Sequence, residues 1–531
     1  MKHEECVTID DFLEFSMKDY LPDEVVIQCD GQTLSRRQLS EACDAYMRRL
    51  AHFGVTAGCS VGYTMPNCTE IIPLVIALCR MGACMIPVFH LVPDMGKAAV
   101  FANGRAMTVV TVSQMADKLR TAFKQYGADI RVVTIDEDLV LDVADREATD
   151  ATSVSSGYDP SAPLLVASSS GTTGMPKPVV WSRSNGAALL RGSGAMVRPM
   201  AKNSAVRTST LAAFPLASPG IINVLGTIFA GVKIIVTSDV SPVSFIKLMS
   251  ATRPDSVSAP PAWYEALLSM SMIRSVDTSS VRNVFTGMDF MAPSLMVRLE
   301  ERFPNLKGFV SGYGLVETSN VFMISVVDLS DTQAVVTNRF ELVAGIGNRI
   351  EIRKEDGTPL GVGESGELFV SGPSVVGGYL GNPGETALSF QNGWFRTGDT
   401  ARNEGGGAVT LLGRKKYLIK RGGKSVSPIV VQGHIDRFPG VNESAVVGVP
   451  HPLYGQMIWA FVSVRSGAVV ELSRLMKHCR ESLVNYMVPD QVRFVESIPR
   501  KSGIGKVDFD AMIRMATDEL SSMNGGDDEQ D

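Results

Sequence analysis

Between Leu164 and Lys177 the chain runs from a hydrophobic strand into Ser168, Ser169, Ser170, Gly171, Thr172, Thr173 and Gly174, then through Met175 and Pro176 to Lys177. Glycines let backbone N–H groups come close to an oxyanion, hydroxyls add donors, and a lysine adds positive charge. Together these suit a triphosphate. The segment is not the GxxxxGK[ST] loop, because no Gly-Lys-Ser/Thr follows at the required spacing. A Ser/Thr/Gly cluster alone would equally describe a flexible polar loop; the ordered run ending in Pro-Lys separates this one from that reading. No GxSxG elbow is present to supply a serine nucleophile.

A loop of this kind has to be carried by rigid elements. Short β-branched runs, Val25–Cys29, Ser60–Met65, Thr108–Val112, Ile130–Ile135, Leu164–Ala167, Lys233–Thr237 and Ser256–Ser258, alternate with helical periods such as Ser35–Phe53 and Glu70–Met81. Most of the runs are continuously apolar, as strands buried on both faces should be. The expected fold class is therefore α/β, a large N-terminal domain of parallel-rich sheets with helices. From about Gly345 the strands shorten and glycine turns separate them, as at Ile350–Arg353, Gly366–Val370 and Val409–Leu411, which predicts a small β-rich subdomain over 345–415. A compact α+β pattern follows, with strands at Glu443–Val449, Ile458–Val464 and Gln491–Val495 and a helix near Leu472–Leu483. The expected organisation is an N-terminal domain over 1–415, a small mobile C-terminal domain over 416–516, and an acidic disordered tail over 517–531.

At 531 residues the chain exceeds one ordinary core. Its net charge of −6 and the lack of a Lys/Arg run exclude a polyanion-binding surface, so no nucleic-acid partner is expected. The N-terminus lacks the apolar core of a signal peptide, and apolar stretches such as Ile71–Cys79 stop short of the ~20 residues of a membrane span. The eight cysteines include no CxxC pair. They are expected to be small buried thiols in a reducing cytoplasm, not zinc ligands.

The segment Ser168 to Lys177 resembles the signature loop of the adenylate-forming superfamily, which includes acyl- and aryl-CoA ligases, adenylation domains and firefly luciferase. Four more motifs stand in the family's order. Tyr313-Gly-Leu-Val-Glu317 resembles YGxTE, and Gly393-Trp-Phe-Arg-Thr-Gly-Asp399 resembles GWxxTGD. The stretch Gly413 to Gly423 resembles the hinge motif, and Pro499 to Lys506 resembles the loop of the catalytic lysine. The similarity spans roughly residues 25 to 510.

The resemblance implies roles for particular residues. Glu317 would hold the Mg²⁺ that bridges ATP phosphates, Lys177 would serve the phosphates, and Lys506 would bridge the substrate carboxylate and the α-phosphate. Asp399 would accept from the ribose hydroxyls, with Arg414 on ribose or phosphate. Gly287, Met288 and Asp289, together with Ser311, Gly312, Tyr313 and Gly314, would line adenine. Lys416 occupies the hinge about which the family turns its small domain between adenylation and transfer. The acid pocket would take Phe214, Ser218, Gly220, Trp263 and Gly287; these are mostly apolar or small, which fits a neutral aromatic or aliphatic acid of small or medium size.

Two departures stand out. Val316 replaces the usual threonine, removing a hydroxyl contact to the α-phosphate. Beyond the hinge, Val430 and Gln432 stand where acids usually open the first helix of the small domain. The expected function is ATP-dependent activation of a carboxylic acid to its adenylate, with pyrophosphate released, followed by transfer to CoA. The alternatives are a stand-alone adenylating enzyme that loads a carrier-protein phosphopantetheine or an amine, and a catalytically silent nucleotide-binding homologue. Expected cofactors are ATP and Mg²⁺, with CoA or phosphopantetheine as acceptor. A monomer and a homodimer are both open.

Overall fold

The computed structural model describes residues 6, 8–17, 21–139, 159–169, 177–202, 208–329, 338–501 and 506–524. The helix Arg36–His52 starts where the sequence stops competing with it. Ser35 caps it from extended backbone, accepting from Gln38 N while the Gln38 side chain returns to Ser35 N. The helix Ile71–Arg80 is apolar all round, and every residue from Ile71 to Leu78 is buried. A helix without a polar face has to be covered on all sides, and its core cluster draws residues from two sheets at once.

The first sheet has six strands in the order Arg131–Thr134, Thr108–Thr111, Ser60–Tyr63, Cys84–Pro87, Pro163–Ser169 and Lys177–Ser182. All pairs are parallel except the last, which closes antiparallel around the candidate phosphate loop. The second sheet has fourteen strands. Its parallel centre, through Val25–Cys29, Lys233–Val236, Ser209–Ala212, Ser256–Ser258, Asn283–Gly287 and Gly308–Leu315, continues without a break into antiparallel strands. These are Asn320–Asp328, Arg339–Leu342, Ala408–Arg414, Trp394–Gly405, Ser365–Ser371 and Arg349–Arg353. The β-rich part expected over 345–415 is thus hydrogen-bonded to the parallel sheet, and no gap in pairing marks its edge. Its own cluster around Phe322, Ile352, Leu368 and Phe395 shows why it reads as a separate unit in sequence.

The C-terminal part is a five-stranded sheet built on the long hairpin Val441–His451 with Gly455–Val464. The helices Pro428–Ile435, Leu472–Ser482 and Phe509–Asn524 accompany it. That last helix reaches Asn524, so a helix occupies the first half of the stretch expected to be a disordered tail. Met512 and Ala516 are buried against Trp459 and Phe461, which gives the helix an apolar anchor inside an otherwise polar sequence. Residues 525–531 lie outside the described residues. Among the described residues, no helix is long and apolar enough to cross a membrane, and the cysteines from Cys29 onward are free thiols.

Candidate active site

The strands Asn283–Gly287 and Gly308–Leu315 run parallel, with Thr286 beside Ser311 and Gly287 beside Gly312. The two segments expected to line adenine are therefore neighbours. Their glycines reflect crowding. A Cβ on Gly314 would sit 1.8 Å from Asn320 O, and one on Gly312 would meet Val321 at 2.9 Å. Immediately after Gly287, Met288 holds φ +70 and is exposed, an uncommon backbone state for a side chain of its size. Asp289 turns back on its own chain and accepts from Phe290 N at 2.9 Å.

Asp399 lies directly across the sheet from Arg414. Its Oδ1 is 3.1 Å from Arg414 Nε, and its Oδ2 accepts from the Tyr313 hydroxyl at 2.6 Å. Burial raises the Asp399 pKa, and Arg414 and the Tyr313 hydrogen bond oppose that rise. Arg414 also donates to Thr397 O at 2.9 Å, so the guanidinium is fixed by the same strand, Trp394–Gly405, that presents the carboxylate.

Lys506 arrives from the C-terminal part and lies within electrostatic reach of Asp289, Arg414 and Asp399. Burial lowers its pKa from the ordinary lysine value, while Asp289 raises it. The structure thus brings together three acidic or basic groups from the large domain and the lysine from the small one. Ser294 Oγ, donating to Asn442 O at 2.8 Å, is a direct tie between the same two parts.

Glu317 sits in a short turn, Val316–Thr318. Its Oε1 accepts from the Tyr379 hydroxyl at 2.9 Å, and its backbone carbonyl accepts from Val376 N at 3.1 Å. Lys177 pairs with Glu385 at 2.7 Å and lies 5.3 Å from the centroid of the Tyr379 ring. Leu380 N bonds Pro178 O at 2.8 Å. The segment from Val376 to Thr386 therefore straps the candidate metal ligand and the phosphate-loop lysine to one another. Tyr379 and Glu385 were not legible as site residues. Their sequence signal is no more than a Gly-Gly-Tyr and an Asn-Pro turn, and only the crossing of the strap over Lys177–Ser182 gives them a role.

The first departure has a local account. The carbonyl of Val316 accepts from Trp181 Nε1 at 2.9 Å, and its side chain packs on the main core. Position 316 is thus anchored through its backbone and by apolar contact. After the hinge, Ser427 caps the helix Pro428–Ile435 by accepting from Val430 N at 3.3 Å, so the lost acids are not needed to satisfy the helix start. Gln432 is buried.

Of the remaining expected residues, Ser168 and Ser169 pair with Pro178 and Lys177 across the strand turn. Ser170, Gly171, Thr172, Thr173 and Gly174 lie outside the described residues. Phe214 packs against the main core and Ser218 donates to Pro215 O at 2.6 Å. Gly220 directly precedes the helix Ile221–Phe229. Asn67 holds this loop. Its amide donates to Phe214 O at 2.9 Å and to Thr237 O at 3.1 Å, and its Oδ1 accepts from Leu216 N at 2.7 Å. Trp263 belongs to a different cluster, edge-on to Phe245 at 6.0 Å, and the described contacts do not bring it to Phe214. Lys416 falls in the turn Lys415–Tyr417 between the two parts. A cavity of about 350 Å³ beside Trp394, Arg349 and Asn403 lies at the far, antiparallel end of the second sheet and contains none of these residues.

The donor set around Glu317 fits Mg²⁺. This ion is commonly held by one or two carboxylates plus substrate phosphates and water, and among the described residues Glu317 Oε2 has no protein partner.

The family model described as AMP-binding enzyme matches residues 16–380, and that of the AMP-binding enzyme C-terminal domain matches residues 434–506. A feruloyl-CoA synthase of Amycolatopsis is 28% identical over 498 residues, covering 92% of this chain and 94% of that protein. A putative acyl-CoA ligase of Bacillus subtilis is 32% identical over 364 residues, covering 66% of this chain and 67% of that protein. An amide bond synthetase from Marinactinospora thermotolerans shares the fold with a TM-score of 0.80 at 23% identity, over 96% of this chain and 100% of that one. An anthranilate CoA ligase bound to anthranoyl-AMP also gives 0.80, at 18% identity, over 98% of this chain and 100% of that one. The chain belongs to the AMP-binding enzyme family, the adenylate-forming superfamily, and is an ATP-dependent acid–CoA ligase or a related adenylating ligase.

Proposed function

We propose that the enzyme activates a small or medium, neutral aromatic or aliphatic carboxylic acid and passes the acyl group to CoA. The observation that carries this reading is the convergence of Lys506 with Asp399, Arg414 and Asp289 across the two parts of the chain. A cation there faces the ribose-binding carboxylate, where the α-phosphate of a bound nucleotide would lie. The relatives named for CoA-thioester formation, the feruloyl-CoA synthase among them, support the choice of acceptor.

The substrate carboxylate oxygen attacks the α-phosphorus, the bond to the β-phosphate oxygen breaks, and pyrophosphate leaves. Lys506 bridges the carboxylate and the α-phosphate as charge redistributes, and Asp399 orients the ribose through its hydroxyls. Glu317, held by Tyr379, would bind Mg²⁺; when bound, that ion neutralises charge on the phosphates. Lys177 exchanges its Glu385 partner for phosphate oxygens. In the second step the CoA sulfur attacks the carbonyl carbon, the carbonyl–phosphate oxygen bond breaks, and AMP leaves. Lys416 is the point about which the small domain turns between the steps. Free thiols and the absence of a spanning helix among the described residues fit a reaction in the cytoplasm.

The test is acid-dependent ATP–pyrophosphate exchange over a panel of acids, followed by CoA addition and mass spectrometry. A thioester is expected. Exchange without a thioester moves the acceptor to a carrier protein or an amine. ATP binding with no exchange for any acid overturns the reading.

A further inference from the structure

Tyr417 directly follows the hinge residue, and its ring is stacked on Phe509 with centroids 4.7 Å apart and planes at 26°. Lys416 Nζ lies 4.4 Å from the centroid of the same ring. The Tyr417 hydroxyl is 3.5 Å from Asp510 Oδ1, and Asp510 Oδ2 pairs with Lys501 Nζ at 3.1 Å. Phe509 and Lys501 are not remote from the chemistry. Lys501 N donates to Lys506 O at 2.7 Å, Asp508 N donates to Pro499 O at 2.8 Å, and Arg500 bridges Val507. These bonds form the stem that presents Lys506. Phe509 opens the helix that closes the stem, three positions after Lys506, and packs on the cluster of Trp459 and Phe461.

We infer that Tyr417 is a positioning residue for Lys506: its ring braces the stem of the lysine loop against the hinge. The inference rests on the adenylation role given to Lys506 above. Two rigid rings in contact fix a distance better than flexible side chains do, and offset or tilted aromatic pairs stabilise beyond the area they bury. The ion pair Lys501–Asp510 alone is half-exposed and holds the stem weakly. Because Tyr417 lies after Lys416, it turns with the small domain and keeps the stem in register with the hinge throughout. The end of a long lysine side chain amplifies any tilt of its stem, and a displacement of about 1 Å at a reacting centre costs on the order of a hundredfold.

The experiment is a double-mutant cycle on the full chain, read by ATP–pyrophosphate exchange with the best acid of the panel and by calorimetric ATP binding. Tyr417→Ala is expected to lower exchange about ten- to a hundredfold with ATP affinity within about twofold. On a Lys506→Ala background the same change is expected to lower the residual exchange by less than about twofold, because its effect passes through Lys506. Tyr417→Phe, which keeps the stack, restores exchange. Equal losses on both backgrounds would show a general structural role and overturn the inference. No loss in Tyr417→Ala alongside a large loss in Lys506→Ala overturns it and leaves the catalytic reading standing; full exchange in Lys506→Ala removes both. If Tyr417→Ala does not fold, Tyr417→Leu fills the space without a stacking ring and carries the same expectations.

Discussion

The Tyr379 hydroxyl is 2.9 Å from Glu317 Oε1, although 62 residues separate the two in sequence. One carboxylate oxygen is thereby fixed, and the other has no protein partner among the described residues. Burial and the neighbouring Glu317 push the Tyr379 phenol up, so it stays a donor over any working pH.

Tyr379→Phe removes that donor and leaves the ring that packs on Phe390. The expected result is a ten- to hundredfold higher Mg²⁺ concentration for half-maximal exchange, the usual loss of metal affinity when a partner of a metal ligand is removed. Magnesium titration of exchange, with nucleotide binding followed in parallel, checks it. An unchanged titration would show that Glu317 needs no such support.

Lys177 pairs with Glu385, with side chains 16% and 34% exposed. A pair this close to solvent is worth roughly 0–1 kcal/mol. If Lys177 must leave it for phosphate, Glu385→Gln should tighten ATP binding by up to about fivefold. Lys177→Ala should weaken it. Isothermal titration of both variants decides it; unchanged ATP binding in both would place Lys177 outside the phosphate site.

Burial depresses the Lys506 pKa below that of an ordinary lysine. The protonated form is the active one, so activity is lost as pH rises through the folded value, earlier than for an exposed lysine. The alkaline limb of the kcat/KM profile for exchange, which reports the free enzyme, should therefore fall at a lower pH than an ordinary exposed lysine would set. Lys506→Arg should remove that limb while lowering the maximum. A limb that survives the arginine change belongs to another group.

Asp436 is fully buried, and burial pushes its carboxyl up to about 8. Ser444 Oγ donates to its Oδ1 at 2.6 Å, while Oδ2 is buried with no hydrogen-bond partner among the described residues. Between about pH 4 and the folded value the native state holds a proton that the unfolded chain has released. Stability contributed by this group is complete at low pH and is lost as pH rises toward 8, at up to about 1.4 kcal/mol per pH unit. Asp436→Asn should flatten that slope. Denaturant melts of the small domain's signal at pH 5 and pH 8 check it, and parallel slopes in both proteins would exclude Asp436 as the cause.

Much of the site was written in local sequence because its motifs are local. A strand, a glycine-rich loop and a lysine are consecutive residues, and Thr397, Gly398 and Asp399 are consecutive on one strand, Trp394–Gly405. The apolar strands and the capped helix at Ser35 also follow from short-range pattern, and they fold within one or two residues of where the periodicity puts them. Sequence pattern did not reveal that the β-rich stretch would extend the parallel sheet, since pairing of Asn320–Asp328 with Gly308–Leu315 and Arg339–Leu342 depends on register across the fold. Nor did it show the helix continuing to Asn524, because its polar composition hides the few residues that pack.

By itself the sequence determined the candidates on offer: a loop suited to phosphate, a carboxylate suited to a cation, a candidate ribose ligand and a candidate catalytic lysine, and the order in which the chain visits them. Only the tertiary structure decided which groups meet. Asp399 shares its oxygens between Tyr313 and Arg414, Glu317 leans on Tyr379, and Asn67 holds the Phe214 loop from 147 residues away. The physical reason is range. Capping, turns and periodicity act over a few residues and leave their mark in composition. A buried hydrogen bond between distant segments demands only that two partners fit where the packed sheets bring them, and almost any polar residue in either segment could have been the one chosen.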